Sequence, residues 1–186
     1  MMVKAVDMAL GQIHTEVDDK KIIGWREWVA LPQLGIPAIK AKVDTGARTS
    51  ALHAYKLEPF VEGGVTKIRF NIHPLQKRDD IKLYCIADVI DQRIVTDSGG
   101  HREERYVIRT PLQVGKATWE IELTLTNRDT LLFRMLLGRT AMHSHLVVDP
   151  TLSYVTGRKL RRAYRQKLAK SIETTPPPTL PEIGGG

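Results

Sequence analysis

One stretch of this chain combines residue types suited to acid–base chemistry: Lys42-Val43-Asp44-Thr45-Gly46-Ala47. An apolar-alternating run ends there in a carboxylate, a hydroxyl and a glycine. Gly46 allows a sharp turn and close backbone approach, so Asp44 is expected to project from a strand end instead of being buried in the core. Asp and Gly are also common in ordinary turns, so the triplet alone does not establish catalysis. It occurs once in 186 residues.

Other chemistry-bearing patterns are sparse. Cys85 is the only cysteine, which excludes an internal disulfide and zinc sites built on cysteine pairs. The six histidines are His14, His53, His73, His101, His143 and His145, and no His-Glu-x-x-His occurs. Only His143-x-His145 has suggestive spacing, and on a short helix those side chains diverge. No glycine-rich phosphate loop ending in Lys-Ser/Thr is present, so ATP use has no support. No metal or other cofactor is expected.

The elements that must position Asp44 read as strands. Ile36–Val43 alternates, with Ala38 and Lys40 on one face and Ile39, Ala41 and Val43 on the other. Further strands are expected at 22–31, 50–54, 66–72, 81–89, 102–110 and 118–126. Turn signals separate them at 32–35, Gly63-Gly64, 76–80, Ser98-Gly99-Gly100, Val114-Gly115 and 127–129. Many short strands at regular spacing predict an all-β barrel or sandwich. Leu136-Leu137-Gly138-Arg139 breaks the pattern and leads into a short helix.

Hydrophobic residues make up 42% and charged residues 26%, which suits a globular chain. No apolar run approaches the roughly 20 residues that span a bilayer, and the N-terminus lacks the features of a secretory signal. The cytoplasm is the expected compartment, with no membrane partner. The net charge is +7. Residues 157–170 carry seven Lys/Arg and no acid, so the other 21 bases balance the 21 acids. The expected organisation is a flexible leader at 1–19, one domain at 20–155, a basic helix at 156–172 and a disordered tail at 173–186. Leu160, Tyr164 and Leu168 form a thin apolar stripe on that helix. The helix is a solvated face, is packed on the barrel by that stripe, or is available to ribosomal RNA or an acidic tail.

Two extended blocks carry a family resemblance. Lys42-Val43-Asp44-Thr45-Gly46-Ala47-Arg48-Thr49-Ser50-Ala51-Leu52-His53-Ala54 is followed by Ile121-Glu122-Leu123-Thr124-Leu125-Thr126 and Met135-Leu136-Leu137-Gly138-Arg139. In this order, residues 20–155 resemble the bacterial retropepsin-like aspartic peptidases once labelled "ATP-dependent zinc protease". Members often accompany ligases that add glutamate tails to a small-subunit ribosomal protein.

The resemblance implies a closed retropepsin-like barrel, one lobe per chain, working as a homodimer. Two copies of Asp44 would face each other and share one proton, because like charges that close cannot both ionise. The ionised member would activate water, and the protonated one would donate to the peptide carbonyl. Thr45 would hydrogen-bond across the two-fold axis, and Gly46 completes the catalytic turn. Leu137, Gly138 and Arg139 would support it.

Ala47, Arg48, Thr49, Gly99, Gly100, Arg102 and Arg105 are the expected substrate contacts. Ala47 stands where acid-acting relatives often have Ser, whose hydroxyl supports the ionised pair; its absence points to activity nearer neutral pH. Arg48 stands where retroviral relatives commonly carry an acid, and suits carboxylate substrates unless it pairs with a structural acid. Gly99-Gly100 is a flap tip or a plain hairpin. On the return strand, alternation puts Arg102 and Glu104 on one face, Glu103 and Arg105 on the other.

The implied activity is trimming of a poly-glutamate tail from a ribosomal protein, with a glutamate ligase as a further partner. The rivals are a non-catalytic adaptor for a ribosomal or acidic partner and a zinc metallopeptidase.

Overall fold

The computed structural model describes residues 20–76, 78–96, 100, 102–127 and 132–164. The leader, Gly99 at the hairpin tip, and everything after Tyr164, including Leu168 and the tail, lie outside the described residues. Among the described residues no helix is long and apolar enough to cross a membrane.

The fold is all-β. In chain order the strands are β1 (Lys21–Gly24), β2 (Arg26–Leu31), β3 (Ile36–Val43), β4 (Ser50–His53), β5 (Tyr55–Glu62) and β6 (Val65–Ile72). They continue as β7 (Leu83–Thr96), β8 (Arg102–Val114), β9 (Ala117–Thr126), β10 (Met135–Leu137) and β11 (Leu146–Asp149), with one short helix, α1 (Arg139–Met142), between the last two. Nine strands form one sheet in the order β2-β3-β10-β4-β9-β8-β7-β6-β5. A further β2–β8 pairing joins the ends of the run β2 to β8 into a six-strand ring. β7, β6 and β5 continue the sheet beyond the ring, and Ile68, Phe70 and Ile72 of β6 and Cys85 of β7 pack into the same buried cluster.

The ring encloses the core. Ile39 and Ala41 of β3, Leu52 of β4, Ile108 and Leu112 of β8, Leu123 of β9 and Leu137 of β10 belong to one buried apolar cluster. Each comes from the inward-facing set of a strand whose side chains alternate. Burial of this kind stabilises by about 25 cal/mol per Å² of apolar surface, and it fixes register because a one-residue slip would expose the whole set.

Two expected elements change form. Residues 22–31 do not make one strand: the chain breaks at Trp25, β1 pairs in parallel with β11, and β2 joins the large sheet. The cause is a close crossing, since a Cβ on Gly24 would lie 2.3 Å from the Leu152 carbonyl oxygen. The basic segment begins as a short 3-10 turn over Lys159–Arg162. Two residues of its stripe lie against the sheet: Tyr164 is buried with Trp28 and Ala38, Leu160 packs beside them, and the Tyr164 hydroxyl donates to the Ala38 carbonyl. Apolar contact and one hydrogen bond thus hold this end of the segment to the outer face of β2 and β3.

Candidate active site

β10 lies between the two strands that flank Asp44. It pairs in parallel with β3, Leu137 opposite Val43, and antiparallel with β4, Leu136 opposite Ala51. Residues 44–49 must therefore cross the end of β10 to join β3 to β4. This crossing lifts the Asp-Thr-Gly turn out of the sheet.

The turn is closed by its own carboxylate. Asp44 Oδ1 accepts from the backbone N–H of Gly46 at 3.0 Å and of Ala47 at 3.1 Å. The Asp44 N–H donates to the Leu137 carbonyl at 2.9 Å, which ties the start of the turn to β10. A Cβ on Gly46 would sit 3.2 Å from Asp44 Oδ1, so glycine allows this tight approach.

The Leu136-Leu137-Gly138-Arg139 block braces the far side of the turn. Arg139 Nη1 donates to the carbonyls of Thr45 and Gly46, both at 2.8 Å. The N–H groups of Arg139 and Thr140 donate to the carbonyls of Ala47 and Arg48. Gly138 packs so closely that a Cβ there would lie 2.6 Å from the Thr49 carbonyl carbon. Its N–H donates to Ser50 Oγ at 3.1 Å, and Ser50's carbonyl accepts from Thr124 Oγ1 at 3.0 Å. Leu137 is fully buried beneath.

The turn opens onto a cleft of about 660 Å³. Asp44, Gly46, Ala47, Arg48 and Thr49 line it from the turn, and Val95, Thr96 and Arg105 from the β7–β8 hairpin. Among the described lining residues Asp44 is the only carboxylate. Arg48 is exposed, whereas Arg105 is only 7% exposed and is held by Glu103 Oε2 at 2.8 Å. Glu103 also accepts from Thr126 Oγ1 at 3.0 Å. The expected alternation holds: Arg102 and Glu104 are exposed, while Glu103 and Arg105 turn inward. Arg102 is not among the cleft-lining residues. Gly100 adopts a positive φ of 81°, which favours glycine.

Sequence reading missed Val95, Thr96, Ser50, Thr124 and Glu103. The available signal was Thr124 and Thr126, alternating polar positions in an apolar strand that are buried in the fold. His143 and His145 do not converge: His143 Nδ1 meets Ser144 Oγ at 2.9 Å, and His145 stacks on Trp119. Among the described residues no three His, Cys, Asp or Glu side chains form a metal-holding group.

The family described as "RimB-like: Retropepsin-like aspartic endopeptidase RimB" matches residues 22–159, which contain the whole turn, its brace and the hairpin. The chain belongs to this RimB-like family. Its relatives include a "probable alpha-L-glutamate ligase" of Shewanella pealeana, 48% identical over 157 residues, covering 82% of this chain and 34% of the relative. A protein of the same description from Desulfotalea psychrophila is 48% identical over 152 residues, covering 80% and 33%. This RimB-like chain thus spans about a third of the length of those relatives. A solved Legionella pneumophila protein of unknown function is similar in structure, with a TM-score of 0.62, 26% identity, and coverage of 73% of this chain and 97% of that one.

Proposed function

We propose that this RimB-like chain is one half of a homodimeric aspartic peptidase. The observation that carries this is the Asp44 carboxylate, fixed by two backbone N–H groups and standing, among the described residues, as the only carboxylate lining an open cleft. A hydrolytic dyad needs two carboxylates with one proton between them, and a second copy would supply the other. One Asp44 would take the proton of the attacking water while its mate donates to the peptide carbonyl, then to the leaving nitrogen. Thr45, exposed at the turn, would hydrogen-bond across the axis.

The substrate we infer is an acidic peptide, such as the glutamate tail of a small-subunit ribosomal protein in the cytoplasm. Arg48 and Arg105 line the cleft as cations, Arg105 already paired with Glu103, and guanidinium groups hold carboxylates bidentately. The curated relatives are named as glutamate ligases over chains about two and a half times as long, which supports a ligase as partner. That length difference also favours a second reading, a binding module for such a ligase with no hydrolysis of its own.

A peptidase assay on a glutamate-tailed peptide separates these readings. Wild type should cleave, Asp44→Asn should not, and wild type in chelator should still cleave. No cleavage by wild type favours the binding module, and loss in chelator with retention in Asp44→Asn would favour a metallopeptidase. Sedimentation should give a dimer at assay concentration; a strict monomer that still cleaves would sink the shared dyad.

A further inference from the structure

Three cations converge on one aromatic ring on the outer face of β2 and β3. The guanidinium carbons of Arg158 and Arg26 lie 4.7 and 5.0 Å from the Tyr154 ring centroid, and Lys40 Nζ lies 6.0 Å from it. Arg26 also sits 4.3 Å over Trp25, and Lys40 5.4 Å from Trp28. Like charges brought this close repel one another, and aromatic faces offset only part of that. Among the described residues none of the three forms an ion pair with a carboxylate. Lys40 donates instead to Gln76 Oε1.

Two further observations show that this cluster is suited to an anion. Arg26 Nε is buried without a hydrogen-bond partner, a costly state for a cationic donor. Tyr154 holds its place with a left-handed backbone, φ 58°, its N–H donating to the Arg26 carbonyl at 2.9 Å. Such a conformation in a non-glycine residue persists where the surroundings enforce it, often at ligand sites.

The cluster is linked to the peptidase cleft by a strand. Lys40 and Lys42 share one face of β3, and Lys42, exposed, pairs in register with Arg26. Asp44 follows two residues later. At about 3.3 Å per residue, Lys40 is about 13 Å of strand from Asp44, the reach of four residues of extended peptide.

We propose that Arg26, Lys40 and Arg158, gathered around Tyr154, form a carboxylate-binding subsite for an acidic peptide. The location on the strand that delivers Asp44 favours a peptide over a nucleic acid, because one extended chain would occupy both sites. This subsite rests on the acidic-peptide peptidase reading, and its test is made to fail separately.

The test uses the full chain carrying Asp44→Asn, so that no turnover interferes, and a fluorescent hexaglutamate probe at low salt. Arg158→Gln, on an exposed side chain, and Arg26→Gln should each weaken binding about tenfold with the melting temperature of Arg158→Gln unchanged. The binding should weaken with added salt. Hexaglutamate affinity unchanged in both variants would overturn the subsite, whatever the wild type cleaves. A single-stranded RNA oligomer that binds more tightly than hexaglutamate and is lost in the same variants would overturn it in favour of nucleic acid. Weakened hexaglutamate binding in both variants supports the subsite even if wild type proves not to hydrolyse the tail.

Discussion

Arg139 and Gly46 are 93 residues apart in sequence, yet the guanidinium of one holds the carbonyl of the other at 2.8 Å. The same nitrogen holds the Thr45 carbonyl. Two peptide groups of the turn are thereby oriented, and the N–H groups of Gly46 and Ala47 are aimed at Asp44 Oδ1. Arg139 acts on the carboxylate through the backbone.

Arg139→Ala should therefore damage geometry more than stability. Its side chain is exposed, so the melting temperature should move little. Hydrogen bonds to a charged donor contribute about 1.5–3 kcal/mol, which at this exposure points to a fall in kcat of about tenfold. KM for a tailed peptide should stay near wild type. A raised KM with unchanged kcat would show that Arg139 contacts substrate instead.

Gly138→Ala tests the crossing of β10 beneath the turn. The added Cβ meets backbone, 2.6 Å from the Thr49 carbonyl carbon and 2.9 Å from the Arg48 carbonyl oxygen, and backbone cannot step aside as a flexible side chain can. Overpacking of this kind costs about 1–3 kcal/mol. The expected result is a lower urea midpoint and a loss of activity larger than that of Arg139→Ala. Full activity would mean that the turn tolerates displacement from β10.

These contacts explain what was legible in sequence. The strand into Asp44 was readable to the residue, because Ile39, Ala41 and Val43 face the core while Lys40 and Lys42 face outward. The Leu-Leu-Gly-Arg block was readable only as a partner of the turn, since a three-residue strand has too little periodicity to announce itself. β5 was missed: Tyr55–Glu62 carries Pro59 and three charges because it is an outer strand with little buried surface. β11 was missed because four residues next to Pro150 give no alternation. β7 runs on to Thr96 instead of ending at Val89, since a register shift between Val89 and Asp91 carries the strand past a polar stretch. Val95 and Thr96 entered the cleft by that extension.

Glu27 clamps the segment that carries Tyr154. It is fully buried and accepts from the N–H groups of Gly24, Val155 and Thr156 and from Thr156 Oγ1, at 2.8–3.2 Å. Glu27→Ala leaves several buried donors unpaired, each costing about 1–3 kcal/mol. A total near 3 kcal/mol would lower the melting temperature by about 6–12 °C in a chain of this size. A change below about 2 °C would mean that water replaces the carboxylate without loss.

Alkaline stability should report on Tyr164. Burial pushes its phenol up from the ordinary 10.0. The folded chain then keeps this proton at pH values where the unfolded chain releases it. The contribution is complete below about pH 10 and is lost as pH rises above it, with a slope of about 1.4 kcal/mol per pH unit. Urea midpoints measured from pH 9 to 11.5 should fall, and Tyr164→Phe should remove one proton's share of that slope. The same variant loses the bond to the Ala38 carbonyl, so it should also be less stable at pH 8. Parallel curves for the two proteins would show that Tyr164 ionises freely in the folded chain.

Burial separates the two cleft arginines, and their variants should differ accordingly. Arg48 is exposed and its attraction to a substrate carboxylate is weakened by solvent and salt. Arg48→Glu should raise KM for an acidic peptide several-fold, most at low ionic strength; unchanged kinetics would remove it from the substrate. Arg105 is buried and oriented by Glu103, which Thr126 holds in turn. A carboxylate meeting it would form a desolvated, charge-assisted contact. Removing Arg105 alone would strand the Glu103 carboxylate, so the informative variant replaces both, Glu103→Gln with Arg105→Gln. That double variant should raise KM for the acidic peptide more than Arg48→Glu does, with a weaker dependence on salt. A preserved preference for acidic over neutral peptides would place the recognition elsewhere, with Arg105 serving only to fix the hairpin over Asp44.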